Sequence, residues 1–202
     1  MQSMKVAQSP FLEIGPLQKV VDPFPYAYTS KALDGDLALN LLGWLEDSAP
    51  WRLRETDFYE QYEFNFYEAS LPSNLAFITS SEYLSKVKDF IEDTFNVNLD
   101  EHIDVTAHKL LPGQTIRIHN DFIPGLETHR ILIQLNRSWP DENGGMLVLF
   151  NSDDPKDIHK IMRPAHNSLV AFEISHKSNH AVSTIHQGER FTLVYSFHRS
   201  EE

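Results

Sequence analysis

The 202-residue sequence predicts a mainly β fold, a sandwich or jelly roll with helices packed outside it, and three features point there. From residue 103 onward apolar residues recur with a period of two. The runs are short, and each ends at a turn signal: "PG" at 112, "PDENGG" at 140, "NSDDP" at 151, "PAHN" at 164 and "HQGE" at 186. Side chains alternate across a strand, so this pattern suits half-buried strands, and their close spacing suits two packed sheets. The N-terminal half instead carries two stretches with helical spacing.

Taken in order, "SKALDGDLALNLLGWLED" places Leu37, Leu41, Trp44 and Leu45 on one helical face, with Ser30 or Asp34 as the cap. "FYEQYEFNFYEA" alternates, Tyr62, Phe64 and Phe66 against Gln61, Glu63 and Asn65, as a half-buried strand does. "SSEYLSKVKDFIEDTF" is a second amphipathic helix, apolar at Leu84, Val87, Phe90 and Ile91 and capped by Ser80 or Ser81. Eight strands follow, at 103–111, 114–121, 130–136, 146–150, 158–162, 168–173, 180–185 and 190–198. No repeat or linker divides the chain, so one domain over 1–202 is expected, residues 1–100 supporting a core at 103–198.

Composition narrows the function. Seventeen Lys and Arg against 29 Asp and Glu give a net charge of −12, which repels phosphate backbones and anionic lipid, so neither nucleic acid nor membrane is an expected partner. The opening "MQSMKVAQSPFLEIG" has no apolar leader core, and cytoplasmic residence is the expectation. With no cysteine, a transition metal would rest on imidazole and carboxylate, and ten histidines supply the former. Oligomeric state is not encoded in any pattern found.

Two His-x-Asp pairs compete as metal forks: His102 with Asp104, and His119 with Asp121. On a strand, residues i and i+2 share a face and can grip one ion. An open iron(II) site needs a third ligand, and His180 in "SNHAVSTI" is the candidate, with His176 and His186 taking its place if the register is shifted. A lone His-x-Asp is more often a pair of hydrogen-bonded surface residues. Arg190 adds weight, because "ERFTLVYSF" is apolar on both faces and a buried guanidinium needs an anion. A dicarboxylate held by Arg190 with Thr192 beside it is one answer; a salt bridge within the chain is the other. If residues 186–189 form a tight turn, His180 and Arg190 lie on neighbouring strands, roughly 17 to 20 Å apart along the backbone.

The elements "LLPG", "IRIHND", "RILIQLNRSW", "NGGMLVLF", "SLVAFEISHKSNHAV" and "RFTLVYSF" stand in an order that resembles the prolyl-hydroxylase-like iron(II) and 2-oxoglutarate dioxygenases over residues 104–198. The resemblance implies a double-stranded β-helix, with His119, Asp121 and His180 as the iron triad and Arg190 on the distal carboxylate of 2-oxoglutarate. It also implies O2 as co-reactant, succinate and CO2 as coproducts, and hydroxylation of a C–H bond in an amino-acid-like, peptidyl or small natural-product substrate. His102 and Asp104 fall on the preceding strand and drop out. Where relatives carry tyrosines this chain has Leu111 and Gln134, so Gln134 is expected to serve 2-oxoglutarate through its amide. "FIPGLETH", "SHKSN" and Trp51 through Arg54 to Tyr62 are rim candidates. His108, His129, His159, His166 and His198 are expected to be surface or hydrogen-bonded residues, and Trp139 and Phe172 core. A cupin-like metal protein and a non-catalytic binding module are the competing readings.

Overall fold

The structure, a computed structural model, describes residues 12–57 and 59–200. Residues 1–11, most of the opening stretch, and Phe58, the first residue of the expected first strand, lie outside the described residues. Twelve strands and two helices follow in the order β1 (Gln18–Val20), β2 (Tyr26–Thr29), α1 (Gly35–Asp47), β3 (Arg52–Glu55), β4 (Glu60–Asn65), α2 (Ser81–Phe95), β5 (Leu99–Leu110), β6 (Ile116–His119), β7 (His129–Gln134), β8 (Leu147–Phe150), β9 (Ile158–Met162), β10 (Leu169–Glu173), β11 (His180–Val182) and β12 (Arg190–Arg199). They form two antiparallel sheets. The larger runs β1-β2-β10-β7-β12-β5-β4-β3 and the smaller β6-β11-β8-β9.

All eight strands expected after residue 103 are present; β9 has the expected bounds, β5 and β7 begin earlier and end sooner, β12 runs one residue longer, and the others are a little shorter at one end or both. Three more were not expected. β2, four residues after the turn-like "DPFP", is too short for alternation to show, yet it pairs with β10 and buries Tyr26 and Ala27. β1 and β3 are outer strands of three and four residues.

Both helices cover one face of the larger sheet. Helix α1 starts where Asp34, rather than Ser30, accepts from the backbone of Asp36 and Leu37, and it buries Leu37, Leu41 and Leu45. Helix α2 is capped by Ser80 and stops at Asn96, whose left-handed φ of 54° ends the helical hydrogen bonding. Their apolar stripes meet Ile103, Val105, Ala107, Leu193, Tyr195 and Phe197 in one core, which fixes β5 and β12 from outside. Trp44 sets its ring edge-on to Phe64, centroids 5.5 Å apart.

The opposite face of the larger sheet looks toward the smaller one, and there the polar halves of β4 and β5 go inside. Gln61 is 2% exposed, although the alternation placed it on the solvent side. The correction has a simple cause: that face borders an internal polar cavity rather than bulk water. Phe66, expected on the strand, begins a single turn of 3-10 helix.

Candidate metal centre

His119 ends β6 and His180 opens β11, and the antiparallel register sets the two opposite each other. Their rings lie 4.2 Å apart between centroids. Asp121 does not reach them by strand alternation, because β6 has already ended. It sits at φ +60°, a left-handed turn that short polar residues tolerate best, and the turn swings the carboxylate back between the imidazoles. Asp121 Oδ1 lies 3.4 Å from His119 Nε2 and Oδ2 lies 3.3 Å from His180 Nε2. An ion bound at about 2.1 Å to neighbouring ligands at right angles needs them about 3 Å apart, so the three groups are spaced to fit one. Among the described residues this is the one such cluster of His, Asp and Glu.

Each imidazole is oriented from behind. His119 Nδ1 lies 2.8 Å from the carbonyl of Arg117, and His180 Nδ1 lies 2.7 Å from that of Ser178. A carbonyl can only accept, so both Nδ1 atoms carry the hydrogen and both Nε2 lone pairs face the centre. Burial and the neighbouring His119 ring lower the pKa of His180, which keeps it a neutral ligand. Burial alone would raise Asp121. Arg130 beside it and the two imidazoles outweigh that and hold the carboxyl far below the usual range. Ser178, fully buried, also donates to the carbonyl of Asn120 at 2.7 Å, so one side chain ties the loop before His180 to the residue between His119 and Asp121.

The cavity beside the cluster holds about 330 Å³ and is bordered by Arg190, Thr192, His108 and Arg130 as well as the three clustered residues. Arg190 is 3% exposed, and among the described residues it has no carboxylate partner. Its Nη1 donates to Thr192 Oγ1 at 3.0 Å, and its Nε is buried with no partner at all. Burial pulls its pKa down to about 10, still charged at neutral pH. The internal salt bridge that sequence left open is therefore not made. A buried cation without an anion is costly, and the site is arranged to receive one.

The expectation that His180 and Arg190 lie on neighbouring strands is wrong. β11 belongs to the smaller sheet and β12 to the larger, because residues 183–189 cross between sheets instead of turning back. The two residues therefore border one cavity from opposite walls, and the along-strand distance does not apply. Gln134 is buried opposite Thr192, but its Oε1 accepts from Thr192 Oγ1 at 3.1 Å and the residue borders a separate cavity. It acts on the first cavity through Thr192.

His102 and Asp104 pair at 3.2 Å outside the cluster, although Asp104 also borders the cavity. His176 and His186 are exposed and do not approach it; His176 lies against Phe122 instead. Of the rim candidates, Arg54, Tyr59, Gln61 and Glu127 reach the cavity, whereas Trp51 and Tyr62 flank Lys109. His108, expected as a surface or hydrogen-bonded residue, lies 3.5 Å from the Thr106 hydroxyl and borders the cavity, where burial pulls it down to about 4. Arg130 and Glu63 were overlooked. Arg130 opens an apolar strand as Arg190 does, and the same reasoning would have found it; it pairs with Asp121 and Glu127.

Comparison with known proteins agrees with this geometry. Residues 105–198 match the 2OG-Fe(II) oxygenase superfamily. A prolyl 3-hydroxylase of Mus musculus is 30% identical over 160 residues, covering 71% of this chain and 28% of the relative. The chain spans between 20% and 35% of the length of the curated relatives it matches. A prolyl-4-hydroxylase from Pseudomonas putida has the same fold at a TM-score of 0.69 and 17% identity, covering 87% of this chain and 93% of that one. A prolyl hydroxylase of Trichoplax adhaerens, solved with a peptide fragment, superposes at 0.66 and 13% identity, covering 86% and 83%.

Proposed function

Residues 105–198 of this chain belong to the 2OG-Fe(II) oxygenase superfamily, and on that premise we propose an iron(II)- and 2-oxoglutarate-dependent dioxygenase that hydroxylates a prolyl residue in a peptide. In this reading the two facing sheets are the halves of a double-stranded β-helix. His119, Asp121 and His180 would hold the ion from one side, the arrangement that leaves positions free for cosubstrate and oxygen. The observation that carries the reading is the conjunction of that cluster with Arg190, a buried, unpaired guanidinium bordering the same cavity.

Iron(II), 2-oxoglutarate and O2 supply the oxidising power, with succinate and CO2 formed as a substrate C–H becomes C–OH. The chain supplies placement. Arg190 offers a charged donor to the far carboxylate of the diacid, stronger than a neutral hydrogen bond, and Thr192, which accepts from its Nη1, holds the guanidinium in place. Arg130 keeps Asp121 ionised and fixes the direction of its carboxylate. Leu132, Leu147, Val182 and Val194 are apolar walls that thin the water around these charges and so strengthen their attraction. Arg54, paired with Glu63 at 3.0 Å, and Tyr59 form the polar approach for a peptide.

The test is incubation of the chain with iron(II), 2-oxoglutarate, oxygen and a panel of proline-containing peptides, measuring succinate and peptide mass. Succinate release matched by gain of one oxygen atom in a prolyl peptide supports the proposal. Tight 2-oxoglutarate binding with oxidation only of free amino acids or of other small molecules would rule out the peptidyl substrate.

A further inference from the structure

A second cavity, of about 420 Å³, lies on the far side of Gln134 from the metal cluster. Its charge differs sharply from the rest of the molecule. In a chain with 29 acidic side chains, no Asp or Glu borders it, while Lys160 and Arg163 both do. Arg163 is engaged by Asp141 at 2.8 Å. Lys160 makes no ion pair among the described residues; its Nζ donates to Tyr28 Oη at 3.1 Å and lies 4.4 Å from the centre of that ring. Leu147, Met162 and Val170, packed together, supply an apolar wall.

Gln134 provides an independent sign of a ligand. The side chain is 98% buried, being 2% exposed, and its orientation is fixed by its neighbours. Arg190 can only donate, so Thr192 Oγ1 accepts from it and must spend its own hydrogen on Gln134 Oε1. The Gln134 amide nitrogen is thereby turned away from Thr192, and among the described residues its two N–H groups have no acceptor. The nitrogen keeps some accessible surface, so its donors are open to an acceptor in the cavity that Gln134 borders.

We propose that this second cavity is a binding site for a small organic carboxylate with an apolar body, its oxygens accepting from Gln134 and attracted by Lys160 and its tail lying on Met162 and Val170. The size suits such a ligand, since small-molecule sites run from roughly 300 to 1,000 Å³. Binding here does not depend on iron or 2-oxoglutarate, so its failure and the failure of the proposed activity are separable.

Hexanoate is the probe, added to the metal-free full chain carrying methyl-13C methionine. The Met162 methyl resonance, assigned through Met162→Leu, should shift and saturate in the millimolar range while Met146 stays still. Hexan-1-ol, with the same tail and no charge, should shift it at least about tenfold more weakly, as the loss of a charge-assisted contact predicts. Lys160→Met should weaken hexanoate by a similar factor. So should Ile161→Glu, an exposed rim position where a new carboxylate repels the probe without disturbing the core. No Met162 shift up to roughly 20 mM, well above a millimolar Kd, would overturn the proposal. Equal binding of the alcohol, or indifference to both variants, would overturn it as well.

Discussion

The two walls of the metal cavity are built in opposite ways. Arg190 and Thr192 stand on β12, ten residues long, paired on both sides and backed by two helices. His119 and His180 stand on strands of four and three residues, and Asp121 stands on no strand at all. On the large wall, position follows from burial and register. On the small wall it depends on local devices: a left-handed turn at Asp121, two carbonyls holding imidazoles, and Ser178 joining the two loops. The large wall should therefore resist substitution in its fold and fail in cosubstrate affinity, while the small wall should fail in metal affinity.

The largest expected effect breaks the small wall. Asp121→Ala removes the carboxylate and leaves Arg130 with Glu127 alone, and succinate release should fall by at least about a hundredfold. Full activity in this variant would remove Asp121 from the site.

Arg190→Met tests the large wall. Losing a buried charge pair of about 3 kcal/mol should raise the KM for 2-oxoglutarate about a hundredfold, with iron affinity unchanged and with little loss of thermal stability, since the orphan guanidinium goes too. Ser178→Ala should do the reverse, weakening iron(II) binding by about tenfold while leaving the 2-oxoglutarate KM at saturating metal nearly unchanged. Iron titration and steady-state kinetics on both variants would show whether the two losses separate.

Legibility in the sequence follows the same division. The strands after residue 103 were readable because each alternates for several residues, and Arg190 was readable because a guanidinium in a doubly apolar strand stands out. The order of motifs pointed to His119, Asp121 and His180, but not to how they meet: strand alternation suggested a grip that the turn at Asp121 actually provides. Ser178 was missed, since a serine in a loop carries no pattern of its own, whereas Arg130, in the apolar run "RILIQL", could have been read as Arg190 was. The assignment of β11 and β12 to different sheets was also invisible, because seven linking residues can turn back or cross over with the same composition. Gln61 and Glu63 were assigned to solvent for the general reason that polar alternation cannot distinguish bulk water from an internal cavity.

The smallest effect concerns stability rather than chemistry. His129 is fully buried beside Phe95, and burial, helped by Arg199, pulls its pKa down to about 4. The unfolded chain binds this proton near pH 6.5 and the folded chain only near 4, so stability is present above 6.5 and is lost as pH falls through that window. The loss reaches up to about 3 kcal/mol once both states are protonated. His129→Leu should flatten that part of the denaturation-versus-pH curve; an unchanged slope would assign it to other groups.

The central claim is that three side chains from the small wall and one guanidinium from the large wall serve a single chelate. Anaerobic titration of the chain with iron(II) and then 2-oxoglutarate, followed by visible absorption, addresses it most directly. The account predicts a weak charge-transfer band saturating at one iron per chain, absent in His180→Ala and requiring far more 2-oxoglutarate in Arg190→Met. A band of unchanged strength and affinity in both variants, or iron binding with no band at any 2-oxoglutarate concentration, would contradict it.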